Sequence, residues 1–374
     1  MAIAANLGFP RIGAGRELKR ATEAYWSGES GPEELARVAA ELRAAHWRLQ
    51  REAGLDHIPS NDFSLYDHVL DAIALTGAVP PRYGWSGGEV DLETYFAMAR
   101  GAQTATRDVP AMEMTKWFDT NYHYIVPEFW PGQRFTLASA KPFDEFREAL
   151  ALGIRTRPVL LGPVSFLLLG KARAPGFDPL AAHLDAVCEV YAEVVRRLAG
   201  LGAEWIQLDE PCFVQDRGPA ELAALARAYA RLSAAAGGAK LLVRTYFGHV
   251  GDAYPSLAAL PVAAIGLDFV RGRAANLELV RVHGLPEGMM LEAGVVDGRN
   301  VWRTDLADAL GVLQWLAERV GRERLIVAPS CSLLHVPLDA SAETHLDPEL
   351  RSWLAFAREK LAEVVTLARG LAQG

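Results

Sequence analysis

A chain of 374 residues with 51% apolar and 22% charged side chains can bury a large core, which excludes a disordered chain. Its net charge of -8, with the basic residues scattered, offers no broad positive field to a phosphodiester backbone and excludes nucleic acid as a partner. No apolar run is long enough for a membrane span or a secretory leader, and Cys188, Cys212 and Cys331 fit neither a disulfide framework nor a CxxC knuckle, so a cytoplasmic protein with reduced thiols is expected.

In chain order, a strand is predicted at residues 4–7. Helices follow over 16–26 and 32–53, the second opened by Pro32 and closed by Gly54 just past its end. A second strand is predicted at 57–59. From about residue 110 onward, short β-branched runs alternate with amphipathic stretches. The strands are predicted at 111–115, 158–161, 205–208, 241–245, 264–269, 290–293 and 325–328. The helices fall at 142–152, 180–198, 220–236, 305–320 and 348–371, with apolar residues at helical spacing. No linker rich in Ser, Pro or Gly divides residues 1–374, and no fixed repeat stands out. The reading is α/β: a single-domain (β/α)8 TIM barrel with N-terminal helical additions. Nine strand candidates compete for eight places, so one is an extension or a hairpin.

In such barrels the carboxyl ends of the strands converge on one face, where ligands bind. Those ends carry Arg11, Arg16 and Lys19, then Asn61, Asp62, Tyr66 and Asp67. Lys116, Asp119, Asn121 and Tyr122 come next, followed by Asp209 and Glu210. Tyr246, Asp268, Arg271, Asp297, Arg299, Cys331 and His335 complete the rim. Arg16, Lys19 and Lys116 suit a ligand with several carboxylates, through charge-assisted hydrogen bonds. The alternative for Arg16 and Lys19 is the solvated first turn of a helix. Asp209 and Glu210 are sequence neighbours whose side chains diverge, which argues against a glycosidase pair. They either grip an amine or ring nitrogen, or cap a helix and brace the barrel mouth. Asp268 and Cys331, with His249 and His335 nearby, invite zinc, yet HxxxH, HxC and CxxC are all missing. Nothing ties Cys331 to a base as a nucleophile. The aromatic run around Trp117 and Tyr122 reads mainly as core, although both lie close enough to the rim to stack a ring.

Taken together, these residues resemble the N-terminal domain of cobalamin-independent methionine synthase. The likeness rests on Leu7-Gly8-Phe9-Pro10-Arg11-Ile12-Gly13, on Arg16-Glu17-Leu18-Lys19, and on the block MEMTKWFDTNYHYIVPEF at 112–129. It extends through 157–169, 207–211, 266–272 and 330–337. In that family two barrels face each other and move a methyl group from 5-methyltetrahydropteroyltri-glutamate to homocysteine at zinc. The resemblance implies that Arg16, Glu17, Leu18, Lys19 and Lys116 bind the folate polyglutamate. Zinc, homocysteine and the proton-donating histidine belong to a C-terminal barrel that is expected beyond Gly374, so no cofactor and no catalytic residue is expected in this chain. If the barrels are ancient duplicates, the metal-ligand positions here carry Tyr246, Gly248, Asp268 and Cys331, and the proton donor is replaced by Arg299. Two possible ligands of four, Asp268 and Cys331, make a remnant. Alternative readings are a free-standing folate-polyglutamate binding protein and an independent barrel enzyme of related type.

Overall fold

The computed structural model describes residues 2–104 and 108–373. Eight parallel strands form the central sheet: β1 (Ile3–Ala4), β2 (Pro59–Ser60), β3 (Arg157–Leu161), β4 (Trp205–Asp209), β5 (Lys240–Arg244), β6 (Ala264–Asp268), β7 (Met290–Val296) and β8 (Leu325–Pro329). Each pairs with its neighbour in sequence order, and β1 also pairs with β8. The bridge between Ala5 and His57 closes the ring. Asn6 N–H donates to the His57 carbonyl at 3.1 Å and His57 N–H to that of Ala4 at 3.1 Å, so this seam is the most thinly paired part of the barrel. Helices 32–53, 141–151, 179–200, 219–235, 273–283, 306–320 and 357–373 cover the outside. Both faces of the strands are therefore buried, and β8 is apolar throughout, Leu-Ile-Val-Ala-Pro.

The barrel interior is not wholly apolar. Glu292 of β7 accepts from Arg157 Nη1 at 2.7 Å and lies 3.6 Å from Arg244 Nε, all three side chains being essentially inaccessible. Arg244 also donates to the carbonyls of Leu267, Glu292, Pro329 and Ser330. A Cβ on Gly266 or Gly294 would run into the Arg244 side chain, so these two strand glycines make room for the guanidinium. Ion pairing and carbonyl acceptors offset the desolvation of these charges, which an unpaired Arg could not tolerate here.

The ninth strand candidate, 111–115, is not a barrel strand. It contributes to a hairpin, Met114–Lys116 against His123–Ile125, within the long connection between β2 and β3. The predicted N-terminal helices lie between β1 and β2, the first at Glu17–Ser27 and the second at Pro32–Ala53. The predicted helix 348–371 is two, Pro348–Ser352 and Ala357–Gln373, parted where Leu354 bridges Trp302. Among the described residues no helix is long and apolar enough to cross a membrane.

Candidate functional site

The carboxyl ends of the strands surround a small cavity of about 70 Å³ whose lining includes Arg11, Asp62, His68, Asp209, Tyr246 and His335. Trp117 and Tyr122 reach its edge from the hairpin. Trp117 is buried, with its ring edge-on to His68 at 4.4 Å, and Tyr122 stacks on His68 and meets His335 edge-on. These rings pack together at the mouth with the chain's own side chains. Burial holds the imidazoles neutral, lowering His68 to about 3 and His335 to about 4, with the Arg299 guanidinium adding to the latter.

Asp209 and Glu210 diverge. Asp209 faces the cavity, accepting from Gln207 Nε2 at 2.6 Å and from Tyr246 Oη at 3.2 Å, and burial raises its carboxyl to about 7. Glu210 points away and accepts from Ser165 N–H at 2.7 Å, Val164 N–H at 3.3 Å and Tyr229 Oη at 3.0 Å. It therefore braces the start of the helix Pro163–Leu168, which precedes it in the chain, rather than capping the next helix. Gly162 permits that approach, since a Cβ there would meet the Glu210 carboxyl.

Asp268 does not present a free carboxylate. It accepts from the backbone N–H groups of Phe247 at 3.0 Å and of Val270 and Arg271 at 2.8 Å each, and it is buried. Cys331 is buried close by, and burial pushes its thiol up, with Asp268 and Asp297 adding to the effect. The metal-ligand counterparts Tyr246 and Gly248 add no metal-binding chemistry, Tyr246 being committed to Asp209. Among the described residues no group of three or more His, Cys, Asp or Glu side chains could hold a metal ion. The residues present do not fit zinc.

The expected carboxylate-binding cations lie outside the mouth, on the connections after β1 and β2. Arg16 is exposed and takes a left-handed backbone, φ 61°, immediately before the helix Glu17–Ser27. Glu17 folds back to accept from Gly15 N–H, and Leu18 anchors the turn in the core at 2% exposure. Lys19 is exposed and sits 3.6 Å from Glu23, a pair that solvent screens. Lys116 ends the first hairpin strand, exposed, along an open cleft floored by Phe118 and Phe247. Neither Arg16 nor Lys116 makes an ion pair among the described residues, and no hydrogen bond joins Lys116 to the segment 16–19.

Among the described residues, four non-glycine residues have positive φ: Arg16, Asn61, Phe118 and Phe247. All lie on connections leaving the carboxyl ends of strands, which is where strain marks function. Sequence reasoning missed His68, Asp71 and Lys141. Lys141 Nζ reaches Asn61 Oδ1 at 2.9 Å, Glu145 at 3.2 Å and Asp71 at 3.3 Å, tying the second connection to the helix Lys141–Ala151. The apolar run after Asp67, whose carboxylate caps the helix His68–Thr76, was the available signal for His68 and Asp71.

The family described as "Cobalamin-independent synthase, N-terminal domain" matches residues 3–321. A 5-methyltetrahydropteroyltriglutamate–homocysteine methyltransferase of Parvibaculum lavamentivorans is 56% identical over 376 residues, covering 100% of this chain and 48% of that protein. The protein of the same name in Streptomyces coelicolor is 54% identical, covering 98% of this chain and 47% of its own length. The chain thus spans about half the length of the curated relatives it matches. Among solved structures, a putative vitamin-B12 independent methionine synthase from Listeria monocytogenes aligns with TM-score 0.65 at 14% identity over 99% of both chains. A B12-independent methionine synthase from Shewanella sp. W3-18-1 aligns with TM-score 0.63 at 15% identity over 92% of this chain and 90% of that one. At such identities these two likenesses bear on the fold alone, and they agree with the barrel. The family match and the relatives above half identity go further: this chain belongs to the cobalamin-independent synthase N-terminal domain family.

Proposed function

We propose that this chain is the folate-holding half of a cobalamin-independent methionine synthase. It binds the polyglutamate tail of 5-methyltetrahydropteroyltri-glutamate and scaffolds a C-terminal barrel that carries the zinc and homocysteine site. The observation that carries the reading is the contrast in polar groups: Asp268 and Glu210 at the strand ends are saturated within the fold, whereas Arg16 and Lys116 are exposed cations without acidic partners among the described residues. Two such cations on separate connections suit a flexible ligand with several spaced carboxylates. A zinc ion in the second barrel would hold the homocysteine sulfur as a thiolate near neutral pH by lowering its pKa. Side chains of this chain contribute binding and orientation of the tail.

The test measures affinity for methyltetrahydropteroyl-triglutamate and for the monoglutamate, with the chain joined to the C-terminal half of a relative, together with methionine formation. The expected outcome is a preference for the triglutamate that shrinks as salt is raised, and methionine formation only when the second barrel is present. Equal affinity for the two folates overturns the reading, and so does methionine formed by this chain alone.

A further inference from the structure

The hairpin that carries Lys116 is fixed to the barrel at its turn, through Asp119. Arg299, on the connection after β7, donates from Nη1 to Asp119 Oδ1 at 2.7 Å and from Nη2 to the Asp119 carbonyl at 3.1 Å. Arg271, after β6, donates to Asp119 Oδ2 at 3.1 Å. Asp119 is itself an exposed side chain, yet both carboxylate oxygens are taken, and Arg299 is 12% exposed against its 60%. The Arg299 guanidinium lies over the Phe247 ring at 5.0 Å, and Phe247 in turn packs on Phe118 at 5.5 Å. Phe118 and Phe247 are two of the residues with left-handed backbones, at φ 51° and 80°. Two strained aromatics and a doubly held carboxylate thus meet at one point. Such strain persists only where the surroundings over-determine it.

We infer that Asp119 is a positioning residue for Lys116: its bridge to Arg271 and Arg299 pins the hairpin turn to the barrel rim and so sets where the Lys116 ammonium stands along the cleft. This rests on the reading that Lys116 holds the polyglutamate. Two residues separate Lys116 from Asp119, and the turn that follows is hydrogen-bonded. Trp117 N–H donates to the Tyr122 carbonyl at 2.7 Å, and Thr120 Oγ1 to the Trp117 carbonyl at 2.6 Å. The bridge also matters electrostatically. Asp119 and Lys116 line the same cleft, so an unpaired Asp119 carboxylate would repel an anionic tail. Although partial burial pushes Asp119 up, the Arg299 hydrogen bond and the charges of both arginines hold it below the usual range, so it stays ionised and paired.

The test uses the chain joined to a relative's C-terminal half and compares Asp119→Asn, Asp119→Glu, Lys116→Ala and the double variant Asp119→Asn with Lys116→Ala. Asp119→Asn is expected to raise KM for the triglutamate by roughly fivefold, leaving kcat and KM for the monoglutamate unchanged, with partial recovery in Asp119→Glu. In the Lys116→Ala background Asp119→Asn should add nothing, because no ammonium remains to be placed. Additive losses, or equal losses for the two folates, overturn the inference. If Asp119→Asn fails to fold, Arg271→Gln removes one arm of the bridge and is expected to raise the triglutamate KM by about twofold; no change overturns the inference. Lys116→Ala alone separates the two failures: an intact triglutamate preference sinks the polyglutamate reading itself, whereas its loss there but not in Asp119→Asn sinks only the positioning role.

Discussion

The barrel interior and the connections after β1 and β2 handle charge in opposite ways. Inside, Arg157, Glu292 and Arg244 are buried together, and at the mouth Asp268 and Glu210 take their partners from the fold. On the two connections, Arg16 and Lys116 stand in solvent with no acidic partner among the described residues, one of them on a strained backbone. A barrel of this kind ordinarily puts its chemistry at the strand ends. In this chain the polar groups at the strand ends pair within the fold, and the exposed cations sit on the insertions.

The sharpest way to break that contrast is to remove Glu292. Glu292→Ala leaves the Arg157 and Arg244 guanidiniums buried without their carboxylate, and urea unfolding should show a loss of about 3–5 kcal/mol. A loss below about 1 kcal/mol would mean that the interior charges are not held as described. Asp268→Ala comes next, because it orphans the N–H groups of Phe247, Val270 and Arg271; a loss of about 1–3 kcal/mol is expected. The same variant tests the metal remnant, since added zinc should raise the melting temperature of neither wild type nor variant. Lys116→Ala should leave stability within about 0.5 kcal/mol of wild type while weakening triglutamate binding roughly tenfold, measured in the joined protein.

A pH series sharpens the comparison at the mouth. His335 is neutral in the folded state because burial, and then Arg299, lowers it to about 4 from an unfolded value near 6.5. The unfolded chain therefore binds that proton first. The stability this contributes is complete above about pH 6.5 and is lost as the pH falls toward 4. His335→Gln should flatten the stability profile in that window relative to wild type. Parallel profiles for the two proteins would place His335 in open solvent. The smallest effect belongs to Lys19→Ala, whose exposed pair with Glu23 should change stability by less than about 0.5 kcal/mol.

Most barrel strands were legible because β3 to β8 are short, mostly apolar runs at the spacing of βα units. The hairpin was misassigned as a possible barrel strand because a strand in a two-stranded ribbon and one in a sheet share the same period of two. Only the pairing of Met114 with Ile125 separates them, and that is not local information. Arg16, Lys19 and Lys116 stand out as cations after strand ends, but only the family resemblance ties them to a polyglutamate, since an exposed cation on a helix start is by itself ordinary. Asp268 stands in the sequence as one position of a metal-site remnant, but which N–H groups converge on it depends on how two connections fold back. The Lys141 contacts with Asn61 and Asp71 were invisible for the same reason, joining residues far apart in the chain.

The seam between β1 and β2 has a consequence for motion. Each of those strands is two residues long, and a single bridge, Ala5 to His57, joins them. Amides along such a seam open at lower free energy than those of the longer strands, so the backbone N–H groups of Asn6 and His57 should exchange with deuterium well before those of β6 and β7. The two connections bearing the exposed cations leave the barrel on either side of that seam, Arg16 after β1 and Lys116 after β2. Opening of the seam would therefore move the segment carrying Arg16 against the hairpin, which Arg271 and Arg299 hold to the connections after β6 and β7.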